Sequence, residues 1–430
     1  MDNDTLIALP RDLVDRLKGE GGRRRFFMKH LPSEKLYVAD RIESNPGSIS
    51  PVDIGKAYTT LNWQGQTAFT GQWHQVSTPD LHINHYDLSR RPGTCLPYDS
   101  FRANLPGLDD PGKAVSLAVT HWADLPEELA AVGVPSVAGW IVSREGVQPA
   151  ALAVEPEVLG LAQLAQQWPV ADLAHDTVMV VGLGSIGGAV AEQLAALGVG
   201  RTLLVDPDRF LWHNEVRHVL GAGDVGRHKV DAMRDHLRVR WPCHDCRPFQ
   251  LDVVREAHRI RPLIDDVDLV VCAADGISPR RVVSHLTRRA NKPAVLACVL
   301  EDGGIGEILR LRPGGAFGCL LCHRAELAAK GAIDPEAGQE LPYGTGHVHK
   351  PMTAIPTDLH TVGALAAKVA AATLLESKHR EPQHLPGDHA VIGLRANLGL
   401  AEPYNVEHVG EITWHSIPSP RADCYTCRPN

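Results

Sequence analysis

The feature that most constrains this chain is a glycine-rich turn near its middle. The run Val178-Met179-Val180-Val181 passes directly into Gly182-Leu183-Gly184-Ser185-Ile186-Gly187-Gly188 and on into a helical pattern over 185–197. A β-branched strand, a G-x-G-x-x-G turn and a helix in that order let backbone N–H groups approach a phosphate at a helix N-terminus. A second strand follows over 202–205. It ends at Asp206, near the spacing of about 20 residues at which an acid meets a ribose hydroxyl. The turn alone fits NAD or ATP. The alternation continues with a helix over 225–238, a strand over 268–272, a helix over 278–290, a strand over 294–299 and an apolar helix over 362–375. The expected fold class is therefore α/β, a Rossmann-like, mostly parallel sheet with helices on both faces.

At 430 residues the chain has room for two or three domains. Residues 1–155 mix short apolar runs with Pro, Gly, Asn and Asp, which reads as a smaller α+β domain, and 156–430 hold the nucleotide-binding pattern. Lys and Arg number 43 against 51 Asp and Glu, a net charge of −8, so no nucleic-acid partner is expected. The start Met-Asp-Asn-Asp lacks a secretory n-region, and the apolar stretch 362–375 falls short of the roughly 20 residues of a membrane span. A cytoplasmic protein with no membrane partner is the expectation.

Beyond the turn, Val205-Asp206-Pro207-Asp208 leads to Asn214 and Arg217, then to Gly226-Arg227-His228-Lys229, and the later run Asp268-Leu269-Val270-Val271-Cys272-Ala273-Ala274 ends in Asp275. This ordered set resembles the ThiF/MoeB/HesA family of adenylating enzymes, in which V-D-x-D, N-x-x-R, G-x-x-K and a strand ending in an acid occur in the same order. The resemblance covers roughly residues 170–430. It implies ATP-dependent adenylation of the C-terminal carboxylate of a small ubiquitin-like or sulfur-carrier protein ending in Gly, or of a peptide, in a bacterial pathway. It also implies a homodimer. Carboxylate attack on the α-phosphate brings two anions together, so cations must sit on the phosphates and a metal must offset the leaving group. Arg217, Lys229 and Asp275 are the expected catalytic residues, with Asp275 the Mg²⁺ ligand. Gly182, Gly184, Ser185, Ile186, Gly187, Asp206, Asp208 and Asn214 are expected to bind the nucleotide, with Asp206 on the ribose. An NAD-dependent oxidoreductase shares the turn but has no use for Arg217, Lys229 and Asp275 together.

Nine cysteines are too many to leave unsorted. Cys319-Leu320-Leu321-Cys322 and Cys424-Tyr425-Thr426-Cys427 fit a closed Cys₄ zinc site or two unrelated pairs by spacing alone. The family resemblance implies structural Zn²⁺ on Cys319, Cys322, Cys424 and Cys427. Cys243 and Cys246 form a third C-x-x-C, read as exposed loop cysteines, and Cys272 and Cys298 read as small buried hydrophobes on strands.

Two departures from the family pattern and the extra N-terminal domain remain. Residues 323–358, read as a mobile crossing loop, contain no cysteine, which favours adenylation without thioester transfer from that loop. His347 and His349 within it read as surface residues. No arginine lies between Glu155 and Asp176, where relatives carry one that reaches the partner's ATP; Arg23-Arg24-Arg25 is one candidate substitute, and a catalytically degenerate scaffold is the non-enzymatic alternative. His85 to Leu96, containing Cys95, faintly resembles the active-site segment of ubiquitin-conjugating enzymes, so the N-terminal domain is either of that kind, with such a partner implied, or a recognition domain.

Overall fold

The computed structural model describes residues 6–20, 22–31, 35–45, 47–54, 68–158, 160–332, 354–395 and 398–428. The chain divides into two compact units, Met1–Leu159 and Gly160–Asn430.

The first unit is built on a sheet whose strands reach ten residues, longer than the punctuation of its sequence suggests. Leu6–Leu9 pairs in parallel with both Val147–Val154 and Leu36–Asn45, so seven strands close into a ring, with Ser48–Pro51 added outside. The helix Arg11–Glu20 contributes Leu13, Val14 and Leu17 to the same apolar cluster as Phe26, Met28, Trp73 and Ile141 from the strands. Helices Asp80–Ser89 and Tyr98–Asn104 supply Leu81, Tyr98 and Phe101 to a second cluster with Trp140. Arg23 and Arg25 lie on the strand Arg23–Leu31 and both pair with Asp109. Cys95 is exposed, beside the bridge between Leu96 and Val147.

The second unit is an eight-stranded sheet. Asp245–Phe249, Arg201–Val205, Thr177–Val181, Leu269–Cys272 and Ala294–Leu300 run parallel in that spatial order, followed by antiparallel Ile305–Leu311, His389–Gly393 and Ile412–His415. Its central strands Thr177–Val181 and Leu269–Cys272 are almost continuously apolar, as expected of strands covered on both faces. One face packs helices Ser185–Ala196, Lys229–Arg240 and Pro356–Leu374, the other Ile277–Arg289 and Leu320–Ala329.

Two helices differ from their expected bounds. The one expected from 225 begins at Lys229, because Gly226 takes φ +92° and a short 3₁₀ turn occupies Ala222–Asp224. The apolar helix expected over 362–375 runs from Pro356, a residue suited to a first turn, and continues through a π-turn to His379. Its 24 residues are long and apolar enough to pass a membrane-span count, contrary to the expectation of a stretch too short. It is a core helix here: Val362, Ala366, Val369, Ala370 and Leu374 are buried. Gly363 permits its close approach to Ser185–Ala196, since a Cβ there would lie 2.8 Å from the Ala189 Cβ.

One polar cluster is built into the apolar face. Glu307, 1% exposed on the strand Ile305–Leu311, takes a two-pronged contact from the Arg324 guanidinium, a hydrogen bond from Tyr404 Oη at 2.7 Å and a contact from His389 Nε2 at 3.2 Å. It thereby ties together the sheet, the helix Leu320–Ala329 and the stretch that follows residue 398.

Candidate functional site

The glycine turn leaves the carboxyl end of Thr177–Val181, the central strand of the parallel group, where ligands of open α/β sheets bind. Gly182 has φ +83°, and a Cβ on it would lie 2.5 Å from the Ala274 backbone; one on Gly187 would lie 1.8 Å from the Gly182 carbonyl oxygen. Both positions need glycine for packing. At Gly184 a Cβ would meet nothing within 4 Å, so the backbone there borders open space, next to the first helical residues Ser185 and Ile186. That open backbone at a helix N-terminus is the part of the turn suited to phosphate oxygens.

The carboxylate of Asp206, 5% exposed, accepts the Leu183 N–H at 2.6 Å and the Asp208 N–H at 2.8 Å. Its first task is therefore to clamp the turn to the strand end, a role the ribose assignment did not include. Lys229, the first residue of its helix and 7% exposed, places Nζ 2.9 Å from Asp208 Oδ2 and 3.9 Å from Asp206 Oδ1. Burial works against its charge, but the two carboxylates outweigh burial and hold its pKa above the ordinary lysine value. The lysine is thus a fixed cation. Burial pushes the Asp206 carboxyl above the usual range despite Lys229.

Asp275 sits where Leu269–Cys272 gives way to the helix Ile277–Arg289, open to solvent but walled by protein. This desolvation raises its pKa, while the fields of Lys229, Arg217 and Arg280 oppose the rise. Those four residues and Asp208 therefore share one electrostatic neighbourhood. Asn214 is buried and spends Oδ1 on the Leu211 N–H at 2.9 Å, so it shapes the turn that carries Arg217. His360 Nε2 donates to the Arg217 carbonyl at 3.0 Å from the long core helix.

Two residues here escaped the sequence. Arg280 is 1% exposed one turn into its helix, donating Nε to the Gly276 carbonyl at 3.1 Å and Nη1 to Cys298 Sγ at 2.9 Å. His218 donates Nε2 to the Leu183 carbonyl at 2.8 Å while its Nδ1 accepts the Leu220 N–H at 3.0 Å, which sets its tautomer. Both act on parts already recognised: His218 braces the phosphate turn and Arg280 adds positive charge near Asp275.

The Sγ atoms of Cys319, Cys322, Cys424 and Cys427 all lie within 4.8 Å of one another. Their closest separations are 3.6 Å for Cys319 to Cys424 and 3.9 Å for Cys319 to Cys322 and for Cys322 to Cys427. A tetrahedron with Zn–S bonds of about 2.3 Å has edges of about 3.8 Å, so the set fits a closed zinc site and is too wide for disulfides. It is the only group of three or more metal-type ligands brought together among the described residues. The third pair does not join it: Cys246 is buried on Asp245–Phe249, beside Thr202 Oγ1, and Cys243 is exposed. The loop reading of Cys246 is thereby corrected, and burial pushes its thiol up to about 11. His347 and His349 lie outside the described residues, as does most of the expected crossing loop. The described beginning of that segment is helix, Leu320–Ala329.

If the four cysteines hold structural zinc, purified chain contains one zinc per molecule by elemental analysis and Cys319→Ser loses it. Zinc-free wild type would sink that reading. A second expectation concerns acid. Burial lowers His74, His85 and His218 to about 4 and His323 to about 3. Groups held neutral in the fold but titrating near 6.5 when unfolded contribute their full stability above about pH 6.5 and lose it as pH falls toward 4. Asp206 and Asp275, shifted upward, work in the opposite direction as pH falls. Four lowered histidines against two raised carboxylates decide the sign between pH 6.5 and 4.5. The melting temperature should fall steadily across that window; a flat profile would show that these rings are not held neutral.

The ThiF family model matches residues 160–386, more than half of the chain. Similar curated proteins include the sulfur carrier protein ThiS adenylyltransferase of Bacillus subtilis, 31% identical over 168 residues covering 39% of this chain and 49% of that protein. Ubiquitin-like modifier-activating enzyme 5 of Caenorhabditis elegans is 30% identical over 159 residues, 34% of this chain and 38% of that one. The chain spans about a third to a half of the length of such relatives. Among solved structures, that of E. coli MccB with ATP is 21% identical, with a TM-score of 0.44 over 60% of this chain and 68% of that one. On its matched residues, the chain belongs to the ThiF family.

Proposed function

We propose that this chain uses ATP to adenylate a C-terminal carboxylate, that of a small ubiquitin-like or sulfur-carrier protein ending in Gly or of a peptide. One observation carries the reading: the open backbone of the phosphate turn, the buried cation Lys229 and the solvent-open Asp275 with Arg217 and Arg280 stand at the same end of one sheet. A carboxylate oxygen attacks the α-phosphorus, the new P–O bond forms as the bond from the α-phosphorus to the bridging oxygen breaks, and pyrophosphate leaves with that electron pair. No proton needs to move. The residues' task is charge: Lys229 and Arg217 attract the phosphates and offset the anion that departs. Asp275 and Asp208 would hold Mg²⁺, which supplies the remaining neutralisation when bound. Asp206 and His218 keep the turn in place, Asn214 positions Arg217, and a structural Zn²⁺ on the four cysteines would fasten the C-terminal segment to the helix Leu320–Ala329.

A homodimer, a cytoplasmic setting in a bacterial pathway and a role for residues 1–155 in recognition or as a ubiquitin-conjugating-like unit with Cys95 belong to the same proposal. The scaffold alternative draws on the missing arginine between Glu155 and Asp176. ATP–pyrophosphate exchange dependent on a Gly-terminated carrier is the expected result. Exchange absent with every candidate carrier would favour the scaffold, and NADH bound in preference to ATP would favour an oxidoreductase.

A further inference from the structure

A second polar recess lies at the opposite end of the same sheet. The phosphate turn follows Val181, at the carboxyl end of the parallel strands, whereas Leu311 pairs with Ala294, where one of those strands begins. Next to Leu311 opens a cleft of about 560 Å³ whose lining includes Arg310, Arg312, Glu376, Arg380, His384 and Asp388. Three guanidinium groups against two carboxylates leave it net positive before His384 is counted.

Its floor is incompletely satisfied. Arg310, 5% exposed, contacts Glu376, and Arg312 contacts Asp388. Yet the Nε atoms of both arginines are buried without a hydrogen-bond partner, and so is Asp388 Oδ1, which stands 3.8 Å from the Arg310 guanidinium. At the rim, Arg380 and His384 are exposed. Both are non-glycine residues at left-handed backbone, φ +60° and +53°, and Arg380 directly follows the π-turn Leu375–His379. Such local departures from regular helix cost energy and collect at binding sites. Those orphaned atoms lie beneath the surface, so recognition falls to the partly exposed Arg312 guanidinium and the rim cations, which call for an oxyanion.

We propose that this cleft binds a phosphate group, free or at the end of a small molecule, independently of the nucleotide end of the sheet. Phosphate near neutral pH offers acceptor oxygens to the arginines. Guanidinium forks suit the tetrahedral oxyanion.

The test is isothermal titration of the full chain with inorganic phosphate near pH 7. Saturable binding is expected. Arg380→Asn, a residue that tolerates the left-handed backbone, is expected to weaken phosphate about tenfold or more. Glycerol phosphate titrated in parallel distinguishes an esterified from a free group by which of the two binds more tightly. Absence of saturable phosphate binding would mean that water fills the cleft, and would overturn the proposal. Binding spared by Arg380→Asn would overturn it equally, by placing the phosphate outside this cleft.

Discussion

Glu307→Ala is expected to lower the melting temperature of the 160–430 unit by on the order of 10 °C, from a loss of about 3–5 kcal/mol. The substitution leaves Arg324, whose side chain is 10% exposed, charged in an apolar interior, and removes the acceptor of Tyr404 Oη. A lone buried charge is far worse than none. Glu307→Gln should therefore also destabilise, since it keeps the shape and loses the charge. Replacing Glu307 and Arg324 together with methionine should recover most of the loss. Burial alone would raise the Glu307 carboxyl, but Arg324 and His389 hold it well below the ordinary value. Its contribution is thus complete above about pH 4.3 and is lost as pH falls below that. Calorimetry of the single and double variants checks this, and a double variant no more stable than Glu307→Ala would show that the charge pair is not what matters.

Lys229→Ala is expected to cut carrier-dependent adenylation by about 10²–10³-fold, the scale seen when one preorganised charge-stabilising group is removed. The fold should survive. Asp208 is half exposed and tolerates losing its partner, and Asp206, already shifted toward protonation, keeps two backbone N–H bonds to the turn. Lys229→Arg is not a rescue, because a planar fork cannot reproduce a compact ammonium between two carboxylates. Unchanged adenylation in a folded Lys229→Ala protein would remove the lysine from the chemistry.

The second unit was legible because its signals are local. A strand, a glycine turn and a helix lie within some 20 residues, and β-branched runs mark the central parallel strands. Lys229 was found by its spacing from Gly226, although the helix start there depends on the backbone of Gly226 itself. Other features depend on distant partners. Arg280 reads as half of an exposed Arg-Arg pair until the strand carrying Cys298 is placed beneath it. Glu307 reads as a charge interrupting an apolar strand until Arg324 and Tyr404 arrive from two other segments. The closed ring of the first unit rests on Leu6–Leu9 pairing with Val147–Val154 at the far end of that unit. Cysteine spacing left zinc and unrelated pairs equally open, and only the Sγ separations distinguish a tetrahedral set.

The most direct measurement is intact mass spectrometry of a Gly-terminated carrier incubated with this chain, ATP and Mg²⁺, followed by fragmentation to locate any adduct. An adenylyl group on the carrier's terminal carboxylate, formed with wild type and absent with Lys229→Ala, is the expected result. A carrier that binds but stays unmodified, or an adenylyl group attached to a side chain instead, would contradict carboxylate activation at this site.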